Sequence, residues 1–136
     1  MKLQDQVCSF IQAEQLKTIG VTQSLSYFIY RHWRGNGQII IDKRKDKYFD
    51  YAKGRHMKPY TEIICSAFTV AELGIMVPSE YYLPSNKSGD GWWISNIRQP
   101  NFKKLADTEA QARAALLISI LENNFITVEE VNERLA

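Results

Sequence analysis

The sequence predicts an α+β fold: an antiparallel sheet of four to five strands packed against a long helix in the C-terminal half, with three shorter helices. Three observations lead there. The helix-start pattern Ser/Thr-x-x-Glu/Gln stands ahead of a helix-compatible run at four places. Short β-branched and aromatic runs fill the intervals between them. One late segment, 106–121, is apolar on nearly every side.

The first helix is expected over 9–19. Ser9 caps it, with Gln12 as the reciprocal partner, and Gly20 stops it with Val21 folding back on Leu16. "SLSYFIYRHW" (24–33) then reads as a strand whose poor alternation implies cover on both faces. "GQIIID" (37–42) follows after the turn Gly35-Asn36-Gly37, so the two form a hairpin. "EIICSAF" (62–68) is the next strand.

A short helix over 69–76 has a cap in Thr69, its box partner in Glu72 and a staple between Phe68 and Leu73. Gly74 and Pro78 are its stop signals. Each of these residues has a structural task, so the segment reads as scaffold. "GWWISNI" (91–97) and "NFKKLAD" (101–107) are two further strands. The long helix is expected over 107–123, capped by Thr108 with Gln111 and ended by Asn124 in a left-handed conformation, with Phe125 reaching back to Ile120. A last helix over 127–135 has Thr127 with Glu130 as its box and Ile126 with Val131 as its staple.

The 136 residues suit a single domain, 1–136, with 43–58 as a basic loop or hairpin extension and 84–91 as a surface loop. Apolar residues make up 45% and charged residues 24%, a globular composition. No apolar run approaches the roughly 18 residues of a membrane span, and 1–17 holds no signal-peptide core. The expected location is therefore cytoplasmic, with Cys8 and Cys65 reduced and no membrane partner.

Charge is uneven along the chain. Residues 31–58 carry a net +6, residues 1–30 are neutral and residues 59–136 carry −4. Arg31, Arg34, Lys43, Arg44, Lys45, Lys47, Lys53 and Arg55 are interleaved with Tyr48 and Tyr51, a mixture that suits phosphate contacts plus base stacking. A solvated hairpin tip explains the same residues and is the better reading. Tyr81, Tyr82, Trp92 and Trp93 flank the loop 84–91. They are candidates for a protein-interaction surface, weighed against one core Trp and one half-exposed Trp.

Catalytic patterns are thin. His32 is expected to pack within its strand, and His56 lies in the basic segment. Cys8, Cys65, His32 and His56 lack zinc-site spacing, and Cys65 reads as a buried thiol rather than a nucleophile. No glycine-rich phosphate loop is present. No enzyme, metal or cofactor is expected. The acidic face of the last helix, Glu129, Glu130 and Glu133, argues against its lying in a DNA groove. The leading expectation is a protein partner or self-association, with nucleic acid as the alternative.

Three blocks carry a family resemblance: "CSFIQAEQLKTIGVTQSLSYFIY", "AFTVAELGIMVP" and "ADTEAQARAALLISILENNFI", together 56 residues. In this order they resemble small, functionally uncharacterised accessory proteins of phages and prophage-like regions of bacteria. The resemblance implies a mobile-element accessory protein, with no catalytic residue to transfer. Segments 43–58 and 84–91 lie outside the blocks.

Overall fold

A computed structural model describes the backbone of residues 2–33, 37–44, 48–50, 55–57, 63–79, 86–89, 91–96 and 99–136. It describes their side chains except at 48–50, 55–57, 86–88, 96, 99–102 and 104. The class is α+β. The elements run α1 (Leu3–Gln6), α2 (Phe10–Ile19), β1 (Phe28–His32), β2 (Ile39–Lys43), β3 (Tyr48–Asp50), β4 (Arg55–Met57) and β5 (Ile63–Ala67). They continue with α3 (Val70–Met76), β6 (Asn86–Ser88), β7 (Gly91–Asn96), β8 (Gln99–Ala106), α4 (Glu109–Glu122) and α5 (Val128–Leu135).

All four expected helices form where capping chemistry places them. Ser9 and Gln12 close a full capping box, as do Thr69 and Glu72. Thr108 and Thr127 accept from the backbone N–H of Gln111 and Glu130. Helix α2 ends at Gly20, φ +113°, where Val21 N–H reaches Leu16 O and Gly20 N–H reaches Lys17 O. That pair of bonds is the Schellman closure. Asn124, φ +58°, repeats it after α4: Phe125 N–H donates to Ile120 O and Asn124 N–H to Leu121 O.

One stop signal acts differently from expectation. Gly74 lies inside α3, which runs on to Met76. Pro78 ends the helix by holding Val77 extended, at φ −99° and ψ 120°. The one-turn helix α1 and the short strand β6 are not among the expected elements, and the antiparallel pair β3 and β4 lies within the segment 43–58, read as a basic loop or hairpin extension. Helix α1 brings the shorter helices among the described residues to four rather than three.

The single sheet of four to five strands is also corrected. Among the described residues the strands form three antiparallel sheets: β2-β1-β5, β3-β4 and β6-β7-β8. The physical reason lies at the outer edge of β5. Cys8 N–H bonds Phe68 O at 2.9 Å, and Val7 bridges Thr69 just past the end of β5. The N-terminal segment, rather than β7, thus pairs with the chain just past the end of β5.

Helix α4 is the spine. Ala110, Ala112, Ala114, Leu116, Leu117, Ile118, Ile120 and Leu121 are all buried, because α2 and α3 cover it on one side and β7 and β8 on another. Alanines on the apolar stripe let these neighbours approach closely. Polar ties fix the helices to one another. Gln12 Nε2 donates to Gln111 O at 2.8 Å, joining α2 to α4. Asn132 accepts from Thr22 N–H and donates to Gly20 O, and Arg134 donates to Ile75 O. The acidic last helix is thereby pinned to the ends of α2 and α3, with Val131 fully buried beneath it.

Candidate functional site

The aromatic surface is built by strand alternation. Successive side chains on β7 point to opposite faces. Ile94 is buried and Trp92 packs against the core, on the side covered by α4. Trp93 points the other way and is 41% exposed. Its cross-strand partner on β8 is Leu105, 45% exposed, and the next pair on that face is Ser95 with Lys103. A Trp and a Leu therefore stand side by side on the outer face of the third sheet. Sequence reasoning singled out Trp93 but missed Leu105, because the register that joins them is set by pairing across the sheet. Gly91 allows that register: a Cβ there would lie 2.5 Å from Ala106 O. Tyr81 and Tyr82 lie outside the described residues.

The basic segment resolves into two kinds of cation. Arg31 is buried on β1 and reaches diagonally across to Asp42 on β2, with Nη2 and Nε at 2.9 and 3.0 Å from Oδ2. Its guanidinium also lies 5.5 Å from the ring centre of Trp33. Arg44 follows β2 and turns inward. It donates through Nε to Ser26 O at 2.9 Å, and through Nη2 to Gln23 O, Ser26 Oγ and Ser66 Oγ. These two arginines bind the protein's own backbone and side chains. Lys43 is exposed, with its ammonium 5.8 Å from the Tyr27 ring centre. Arg34, Lys45, Lys47, Tyr51 and Lys53 lie outside the described residues, as do the side chains of Tyr48 and Arg55.

Beside Arg44 is an open cleft of about 630 Å³ lined by Leu25, Ser26, Tyr27, Arg44, Thr69 and Glu72. Its carboxylate already serves the fold: Glu72 Oε1 accepts from Thr69 N–H and Oγ1, and Oε2 from Tyr27 N–H. The cleft thus joins the segment before β1 to the start of α3.

The thiols are sealed in the core. Burial pushes the Cys8 thiol up to about 12, against a smaller lowering from its hydrogen bond with the Phe68 backbone. Burial, aided by the negative charge of Glu14, pushes Cys65 up to about 11. Thiols held neutral in this way are poor nucleophiles. Tyr30, whose hydroxyl is likewise held neutral by burial, donates to Cys8 O at 2.6 Å. His32, expected to be packed, is instead exposed: it is the last residue of β1, at the end of the sheet. Among the described residues no three His, Cys, Asp or Glu side chains group as metal ligands, and no helix is long and apolar enough to cross a membrane.

No protein-family model matches the chain, and neither a curated protein nor a solved structure matches it.

Proposed function

We propose that the chain is a non-enzymatic interaction protein, a cytoplasmic accessory factor of phage-like elements, which engages a protein partner or a second copy through Trp93 and Leu105. One observation carries the reading: a large aromatic and a large aliphatic side chain are register partners on a sheet face turned away from the core. Trp is among the residue types that dominate interface energetics, and a flanking aliphatic neighbour helps exclude water from such an anchor. The resemblance of the three sequence blocks to phage-like accessory proteins supports that biological setting.

The test compares wild type with Trp93→Ser and Leu105→Ser by light scattering across concentration and by crosslinking in phage-bearing cells. Self-association or a discrete crosslinked partner should be present in wild type and lost in both variants. Each variant should lose about 1 kcal/mol or more with the cross-strand pair, so a urea titration is run beside each to show that it is still folded. An unaltered oligomeric state and an unaltered crosslinking pattern in both variants would remove this surface from consideration.

The +6 charge of segment 31–58 supports a second reading, nucleic-acid binding. It is tested by anisotropy with short single-stranded and duplex DNA and RNA against salt. The variants to compare neutralise Lys43, Lys45 and Lys47 and leave Arg31 and Arg44 in place. Absence of binding at about 50 mM salt, where electrostatic affinity is strongest, would retire it.

A further inference from the structure

Residues 22–27 cross from the end of α2 to the start of β1 as a strap with neither helix nor strand. Its two ends are fixed: Val21 is buried behind the Schellman turn, and Ile29 is buried on β1. Between them the large apolar side chains turn out, with Leu25 49% and Tyr27 57% exposed. Tyr27 rests edge-on against Phe28, its own neighbour in the chain, so that contact ties the strap to nothing beyond the strand it leads into. The Lys43 ammonium over the Tyr27 ring is exposed to solvent.

Polar bonds hold the strap down instead. Thr22 N–H donates to Asn132 Oδ1 on α5 at 2.7 Å. Gln23 Oε1 accepts from Ser66 N–H on β5 at 2.7 Å, and Gln23 O accepts from Ser66 Oγ at 2.9 Å. Tyr27 N–H donates to Glu72 Oε2 on α3 at 3.1 Å. Arg44, just past β2, binds Gln23 O, Ser26 O and Ser26 Oγ through its guanidinium, and its own N–H meets Tyr27 O. Segments with few buried apolar contacts open at the low end of a protein's range of opening free energies.

We infer that residues 22–27 form a lid, which opens and closes over the cleft beside α3 while the rest of the fold stays intact, with Arg44 as its latch. Leu25, Ser26 and Tyr27 share the lining of that cleft with Arg44, Thr69 and Glu72. Both charged residues of the lining bond the lid, so its position sets the width of the cleft. Opening exchanges these bonds for bonds to water and uncovers Ser66 on β5. Little apolar surface is exposed, so the motion depends weakly on denaturant, unlike global unfolding. The lid is independent of Trp93 and Leu105, on a different sheet, and either proposal can fail without the other.

Amide exchange in the intact chain is followed by NMR at rising, sub-denaturing urea. Ser66 is the main reporter. It is fully buried, but its N–H meets the lid, whereas by strand alternation those of Cys65 and Ala67 turn toward β1. The Ser66 and Tyr27 amides should exchange at least about a hundredfold faster than those of Leu117 and Ile118 in α4, with a urea slope below about a fifth of theirs. Arg44→Ala should speed both by a further factor of about ten or more, as loss of hydrogen bonds to a charged group requires. If Arg44→Ala does not fold, Arg44→Lys, which keeps the charge without the planar fork, should speed them severalfold. Leu25→Ser should leave them within about threefold of wild type. The lid is overturned if Ser66 exchanges at the rate and urea slope of α4. It is equally overturned if Cys65 and Ala67 exchange as fast as Ser66, which would mean that β5 opens rather than the strap. Leu25→Ser acting as strongly as the Arg44 variant would show that apolar packing holds the strap, and unchanged exchange in the Arg44 variant would remove the latch; either result overturns the proposal.

Discussion

Replacing Arg44 by Ala should unfold the protein more easily, although Arg44 lies in the most basic stretch of the chain. Its guanidinium bonds Gln23 O, Ser26 O, Ser26 Oγ and Ser66 Oγ, tying the segment before β1 to β5. Ser26 and Ser66 are buried. A hydrogen bond to a charged group contributes about 1.5–3 kcal/mol, and a buried acceptor left without a donor costs about 1–3 kcal/mol. The four bonds share one side chain and do not add. Ser66 Oγ also retains its bond to Gln23 O. The net loss is therefore about 3 kcal/mol, a large part of the 5–15 kcal/mol typical of a domain. With a urea m-value of about 2 kcal/mol/M, the midpoint should fall by about 1.5 M. Arg44→Lys should recover only part of this, because an ammonium cannot span acceptors on two segments as the planar fork does. Lys43→Ala, one residue away and exposed, should stay within about 0.5 kcal/mol of wild type. If Arg44→Ala leaves the urea midpoint unchanged, or if Lys43→Ala costs as much, Arg44 is not a structural clamp.

Two further predictions follow from local chemistry. Thr69→Ala removes the cap of α3 and a hydroxyl donor to Glu72, and should lower stability by about 1 kcal/mol in urea titration; an unchanged midpoint would contradict the cap. The buried thiols make the protein sensitive to alkali. Cys8 and Cys65 hold their protons to about 12 and about 11 when folded, against an ordinary value of 9.0. The unfolded chain therefore releases protons first as pH rises. Their stabilisation is complete below pH 9 and declines through 9–11 by about 1.4 kcal/mol per pH unit per thiol. Cys8→Ala should flatten that decline by about half when urea midpoints are compared between pH 8 and 10.5, and an equal slope in the variant would refute the assignment.

Much of the helical framework was legible in advance because capping is short-range. Ser9, Thr69, Thr108 and Thr127 each meet an N–H three residues on, whatever the rest of the chain does. Gly20 and Asn124 end their helices for an equally local reason, the left-handed turn. Gly74 misled because a glycine marks a possible stop, while Pro78 forbids continuation. The candidate site was less legible. Trp93 was found, but its partner Leu105 depends on the β7–β8 register. Arg31 and Arg44 read as surface cations because charge in a sequence does not reveal which way a side chain turns.

Where helices begin and end, that α4 is covered on more than one side and that strands fill segments between them can all be read from the residues in order. These follow from bonds and periodicities spanning a few residues. What depends on the tertiary fold is that the described strands divide into three sheets and that two arginines turn inside the protein. Each depends on partners distant in sequence. Cys8 bonds Phe68, sixty positions further along the chain, Arg44 reaches back to Gln23 and forward to Ser66, and a one-residue slip in register would turn Trp93 into the core.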